Sequence, residues 1–255
     1  MRFSLNLPCL YRGESYDAAL ESVRKAGFDT VECWALPPED EQPLLQALEK
    51  HRVRLSAFCP DFFILNDPAQ RETYRESLAR ALEKAKRLHC PALITQVGTD
   101  TGAPREYQHK AIVEGLREML PLLREANVTL LVEPLNNVKD HPGYYLTDSQ
   151  EGFEIIREVG DPHVRLLFDI YHQLHMQEDV QTRILENLPL IGHFHIAGYP
   201  HRDAAIFENY DYAPLFDALQ EANCSVPLGL ELRPADAQSR EKLLTQVQRW
   251  QNTNN

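Results

Sequence analysis

The sequence predicts an α/β chain folded as a single (β/α)8 TIM barrel, and three observations predict it. Short apolar runs alternate with longer amphipathic ones eight times along 255 residues. The short runs are β-branched or apolar and are bounded by Pro, Gly, Asp or Asn, as buried parallel strands are. No linker, low-complexity tract or composition break interrupts the alternation, so residues 1–255 read as one domain. Eight strand–helix units in about 250 residues is the content of such a barrel, whereas a doubly wound open sheet rarely needs eight evenly spaced units.

The strand candidates, in order, are RFSLNL (2–7), TVECWA (30–35), RLSAFC (54–59), ALITQVG (92–98), TLLVEP (129–134), VRLLFDI (164–170), IGHFHIA (191–197) and PLGLELR (227–233). Helical patterns fill the gaps at 15–25, 41–51, 71–88, 107–126, 147–159, 181–188, 212–222 and 238–250. Each carries apolar residues at helical spacing, as Leu44, Leu45 and Leu48 do. The helix at 147 opens with Thr147 and Gln150 at capping-box spacing. Gly27, Asn127 and Gly160 stand where helices stop. The polar link HRDAAIFENYD (201–211) reads as an active-site loop.

Composition removes several function classes. The formal net charge of −12 speaks against a nucleic-acid partner, whose phosphates reward a basic surface. No apolar run approaches a membrane span, so no membrane partner is expected. Five scattered cysteines without a C-x-x-C pair, and an N-terminus without a signal-peptide pattern, fit a reduced, cytoplasmic protein.

A barrel of this type builds its active site at the C-terminal ends of its strands. Those ends carry Asn6, Glu32 with Trp34, Cys59 with Asp61, Gln96, Glu133, Asp169 with His172, His193 with His195, and Glu231 with Arg233. Glu133, Asp169, Glu231 and one histidine of strand 7 fall on four consecutive strands. Three carboxylates alone would repel in a partly dry pocket. A divalent cation resolves that repulsion, and three oxygens with one nitrogen suit Mn2+, Mg2+ or Zn2+. Each residue also has a plainer reading. Asp169 before a turn is more often a cap, and a histidine inside an apolar strand is more often a satisfied core residue. His193 and His195 are expected to alternate across their strand, so that only one points inward. Glu231 is harder to dismiss, because an unpaired carboxylate inside the apolar run LGLELRP is costly.

Four stretches then carry a specific resemblance. EPLNNVKDHPGYYLTD (133–148), LLFDIYHQLHMQEDV (166–180), IGHFHIAGYPHRD (191–203) and LGLELRP (228–234) resemble the hydroxypyruvate isomerase family, within the xylose-isomerase-like sugar isomerases and epimerases. The resemblance implies proton transfer through an enediolate by Glu133 and Glu231. It implies one divalent metal held by Glu133, Asp169, His195 and Glu231, with His172 and Arg202 as substrate contacts. Lys139 is a further candidate for binding a substrate hydroxyl or carboxylate. The implied partner is a small hydroxy-keto acid or sugar, and homo-oligomers are common in the group. Two departures bear on the substrate. His195 stands where these isomerases usually have Gln, which is more like the ketose 3-epimerases. The loop that usually reads E-P-G-x-G-E is here DAAIFENYD, with Glu208 out of register. Metal-dependent dehydratases share the barrel and the metal. An endonuclease-IV-like DNA repair enzyme and a non-catalytic binding barrel are more distant alternatives.

Overall fold

A computed structural model describes residues 1–251. In chain order the elements are β1 (Phe3–Asn6), α1 (Leu7–Leu10), α2 (Tyr16–Lys25), β2 (Thr30–Glu32), α3 (Pro38–His51), β3 (Arg54–Leu55), β4 (Ala57–Phe58), α4 (Arg71–Arg87), β5 (Ala92–Thr95), α5 (Arg105–Ala126), β6 (Thr129–Val132), α6 (Ser149–Val159), β7 (Val164–Asp169), α7 (Ile170–His175), α8 (Val180–Asn187), β8 (Ile191–Ile196), α9 (Ala213–Glu221), β9 (Leu228–Leu230) and α10 (Ala237–Val247). All eight predicted strands are present. The third is divided at Ser56, whose hydroxyl and backbone N–H both donate to the carbonyl of Val31. Two short helices, α1 and α7, were not legible as helices. Each begins directly at a strand end, capped by Asn6 and Asp169 respectively.

The chain divides into two compact units, residues 1–56 with 193 onward, and 57–192. In the first, the hydrogen-bonded strand order is β3-β2-β1-β9-β8, every pair parallel. In the second it is β4-β5-β6-β7, again all parallel. Parallel pairing brings all strand C-termini in a unit to one edge. The strands are buried almost throughout, as β1 and the last three residues of β6 are, which is the mark of a sheet covered on both faces. In the second unit Ala57, Ile94, Leu131 and Leu167 form one apolar layer, a single residue from each of its four strands.

Local chemistry sets the helix ends. Ser15 accepts from the N–H of Ala18 at the start of α2, and Asp236 with Ser239 forms a reciprocal capping box at α10. The predicted box at Thr147 is corrected: α6 starts two residues later, because Asp148 accepts from the N–H of Gln150 at 2.7 Å and takes the cap itself. Asn127 (φ 53°) and Gly160 (φ 69°) end α5 and α6 in the left-handed conformation, as expected.

Gly98, beyond β5, has φ +106°, and a Cβ there would meet Asn66 Oδ1 at 2.6 Å. Gly98→Ala should therefore lower stability by about 1–3 kcal/mol, from backbone strain plus overpacking. A urea-unfolding midpoint unchanged from the parent would contradict this.

Candidate active site

In the second unit the expected residues cluster at the C-terminal edge. Glu133 follows β6 and is 4% exposed. Its Oε2 accepts from Gln96 Nε2 at 3.1 Å, and its backbone oxygen accepts from the hydroxyl of Tyr144 at 2.9 Å. Asp169 ends β7 and is 1% exposed. It fulfils the plainer reading as well, since its Oδ1 caps α7 by accepting from the N–H of His172. The turn of α7 returns His172 Nε2 to 3.4 Å from Asp169 Oδ2.

The tautomer of His172 follows from its other nitrogen. Nδ1 accepts from the backbone N–H of Asn136 at 3.2 Å and lies 2.6 Å from Asn136 Nδ2. A backbone N–H can only donate, so the neutral ring carries its proton on Nε2. Asn136, in the E-P-L-N motif, also accepts from the N–H groups of Lys139 and Asp140 and donates to Asp140 Oδ2. It was not singled out from sequence, where only its place in the motif hinted at a role. Lys139 is exposed, with its ammonium 5.6 Å from the centre of the Tyr171 ring.

The first unit brings together Glu231, Arg202, His195 and Glu32. Glu231 lies just beyond β9 and is 5% exposed. Its Oε1 accepts from Trp34 Nε1 at 2.5 Å and its Oε2 from Arg202 at 2.5 Å. Arg202 also donates from Nε to the Glu231 backbone oxygen. It does so from a left-handed backbone (φ 58°), uncommon for a non-glycine residue. Arg202 is thus first of all a clamp on Glu231. His195 Nδ1 stands 3.0 Å from Glu231 Oε2, and its Nε2 stands 3.0 Å from Glu32 Oε1.

His193 and His195 do not alternate as expected. Residues two apart in a strand share a face, and both imidazoles reach the same Glu32, His193 Nε2 at 2.9 Å. Glu32 is fully buried. Burial raises its carboxyl, but His195 and His193 beside it outweigh that and hold it at about 2. Glu32 is therefore an ionised acceptor at neutral pH, and the Nε2–H of His195 donates to it. With its proton on Nε2, a neutral His195 ring would turn its Nδ1 lone pair toward a carboxylate oxygen 3.0 Å away. Two acceptors at that distance require a cation against both, or a second proton on the ring. The donor set of His195 and Glu231 thus fits a metal ion. Beside Trp34, a cavity of about 620 Å3 is lined by Cys9, Tyr11, Arg12, Trp34 and Arg233 among others.

Asn136→Ala would remove the amide bonds to Asp140 and His172 and the acceptor for two backbone N–H groups. Unfolding in urea should show a loss of about 1–3 kcal/mol, the cost of stranding buried polar groups. An unchanged midpoint would contradict that accounting.

The model of the xylose isomerase-like TIM barrel family matches residues 20–253. The hydroxypyruvate isomerase of Escherichia coli (strain K12) is 29% identical over 245 residues, covering 92% of this chain and 94% of that one. The 2-oxo-tetronate isomerase of Cupriavidus necator is 27% identical, covering 91% and 93%. Among solved structures, an AP endonuclease, family 2, from Brucella melitensis superposes with a TM-score of 0.89 at 23% identity, covering 98% of this chain and 99% of that one; it carries the fold alone. With the family model spanning nearly the whole chain and isomerases aligned along its length, the chain belongs to the xylose isomerase-like TIM barrel family and is an isomerase.

Proposed function

We propose that the protein is a metal-dependent isomerase of small hydroxy-keto acids, related in reaction to the hydroxypyruvate and 2-oxo-tetronate isomerases. The observation that carries this reading is the placement of Glu133, Asp169, His195 and Glu231. All are buried, and each lies in or directly beyond the C-terminal part of a parallel strand. In this fold those ends build the active site. The four are proposed to hold one divalent ion, Mn2+, Mg2+ or Zn2+. When bound, the ion supplies electrostatic stabilisation to the charge that develops on the substrate's carbonyl and neighbouring hydroxyl oxygens.

The chain's own residues handle the proton. One of Glu133 and Glu231 removes it from the carbon beside the carbonyl, leaving an enediolate. Return to the neighbouring carbon, with the hydroxyl proton passing to the former carbonyl oxygen, completes the isomerisation. Arg202 and Trp34 fix both oxygens of Glu231, so that its carboxylate has one orientation. His172, with its proton on Nε2, is a hydrogen-bond donor suited to a substrate oxygen. The cavity beside Trp34 is lined by Arg12 and Arg233 and by Glu14, whose carboxylate is paired with Arg240, so the two arginines are open to a substrate carboxylate. That lining favours hydroxy-keto acids over neutral sugars.

One sequence feature favours a second reading. His195, in place of the usual Gln, resembles the ketose 3-epimerases, where the proton returns to the opposite face of the same carbon. Product analysis separates the two.

The test is deuterium uptake from solvent by metal-loaded enzyme, followed by NMR on hydroxypyruvate, 2-oxotetronates, tagatose and fructose. Metal-dependent exchange into the keto acids is expected. Glu133→Gln and Glu231→Gln should each slow it by about 100-fold or more, the usual contribution of a general acid or base. Full turnover in both variants would overturn the proposed function. A second prediction concerns Arg202→Lys. It keeps the charge and loses the two-pronged hold on Glu231, so kcat should fall by about 10-fold or more with the fold intact. Unchanged kcat would contradict the clamp.

A further inference from the structure

We propose that Glu32 is a positioning residue: it holds the Nε2 proton of His195 and so directs Nδ1 to the metal. This rests on the reading of His195 as a metal ligand. Glu32 takes no part in the proton transfer, yet it is a fully buried carboxylate on which three donors converge. His193 Nε2 lies at 2.9 Å, His195 Nε2 at 3.0 Å and Asn6 Nδ2 at 3.4 Å. Each histidine reaches a different oxygen, so the carboxylate is bidentate between the two rings.

The contact is not one that neighbouring strands make by default. Glu32 ends β2 and His195 belongs to β8, with β1 and β9 between them in the hydrogen-bonded order. Gly229 of β9, paired in register with His195, leaves the space for it. A Cβ at Gly229 would stand 2.5 Å from His195 Cδ2 and 2.6 and 2.8 Å from the two oxygens of Glu32. The glycine is therefore a cradle for this pair. A carboxylate on the far nitrogen of a ligating histidine fixes the tautomer and the ring orientation, and strengthens the histidine as a donor.

The experiment uses the full chain stripped of metal and titrated with Co2+. It reads the dissociation constant by calorimetry and the ligand field by visible absorption. Wild type should bind one Co2+ per chain. Glu32→Gln offers one acceptor oxygen and cannot take both imidazole protons, so the dissociation constant should rise by about 10- to 100-fold, with an altered Co2+ spectrum. Glu32→Asp keeps the charge but withdraws it by one methylene, and should show the same loss; it serves if the Gln variant does not fold. His193→Asn removes one imidazole and leaves Glu32 to His195 and Asn6, so affinity should stay within about 3-fold; a loss as large as that of Glu32→Gln would show a purely structural role for the cluster and overturn the inference. A folded Glu32 variant with wild-type affinity and spectrum overturns the inference. So does a stoichiometry of two Co2+, since Glu32, His193 and His195 would then be ligands themselves. If wild type binds no Co2+, the proposed function fails, and this inference with it.

Discussion

The cost of burying a carboxylate governs this molecule. Glu32, Glu133, Asp169 and Glu231 are all at most 5% exposed, and a buried anion without compensation is worth several kcal/mol of instability. Every one of them is met by donors placed on purpose. Glu32 has two imidazoles, Glu231 has a guanidinium and an indole, Glu133 has a side-chain amide, and Asp169 has a helix N-terminus and a histidine. The apolar strands that carry them, such as TLLV and LGL, put the groups where water is scarce. Scarce water is also what makes their electrostatics strong enough for chemistry.

The layout was legible in the sequence because a parallel α/β chain has a loud signal. Runs such as VRLLFD and IGHFHI are too short for helices and too apolar for loops, and the regular spacing leaves little choice of topology. Strand ends then named Glu133, Asp169, Glu231 and one of His193 and His195 as candidates, and the family resemblance selected His195. The short helices α1 and α7 escaped because four and six residues carry too little periodicity; their only signals were the caps Asn6 and Asp169. The start of α6 was misplaced because Thr147 and Asp148 are both good caps, and the pattern alone does not rank neighbours.

What sequence could not supply was the second layer of contacts. Glu32 was visible as a strand end, but its pairing with His193 and His195 depends on Gly229, a hundred and ninety-odd residues away in the chain. The two histidines were expected on opposite faces, yet the period of two in a strand puts both on one side, and a single carboxylate serves both. Arg202 was legible as a charged loop residue. Its hold on Glu231 needs the left-handed backbone at that position, which composition does not announce. Asn136 lay inside a motif but its hold on the His172 ring is a matter of three dimensions.

Glu133, Asp169, His195 and Glu231 are proposed to hold one divalent ion. A crystal soaked in Mn2+, with anomalous data collected at the manganese edge, tests it most directly. One strong peak per chain is expected, ligated by Glu133, Asp169, Glu231 and Nδ1 of His195, with Glu32 outside the coordination sphere against Nε2. A peak held by Glu32, His193 and His195 instead, or no peak at any of these residues, would contradict it.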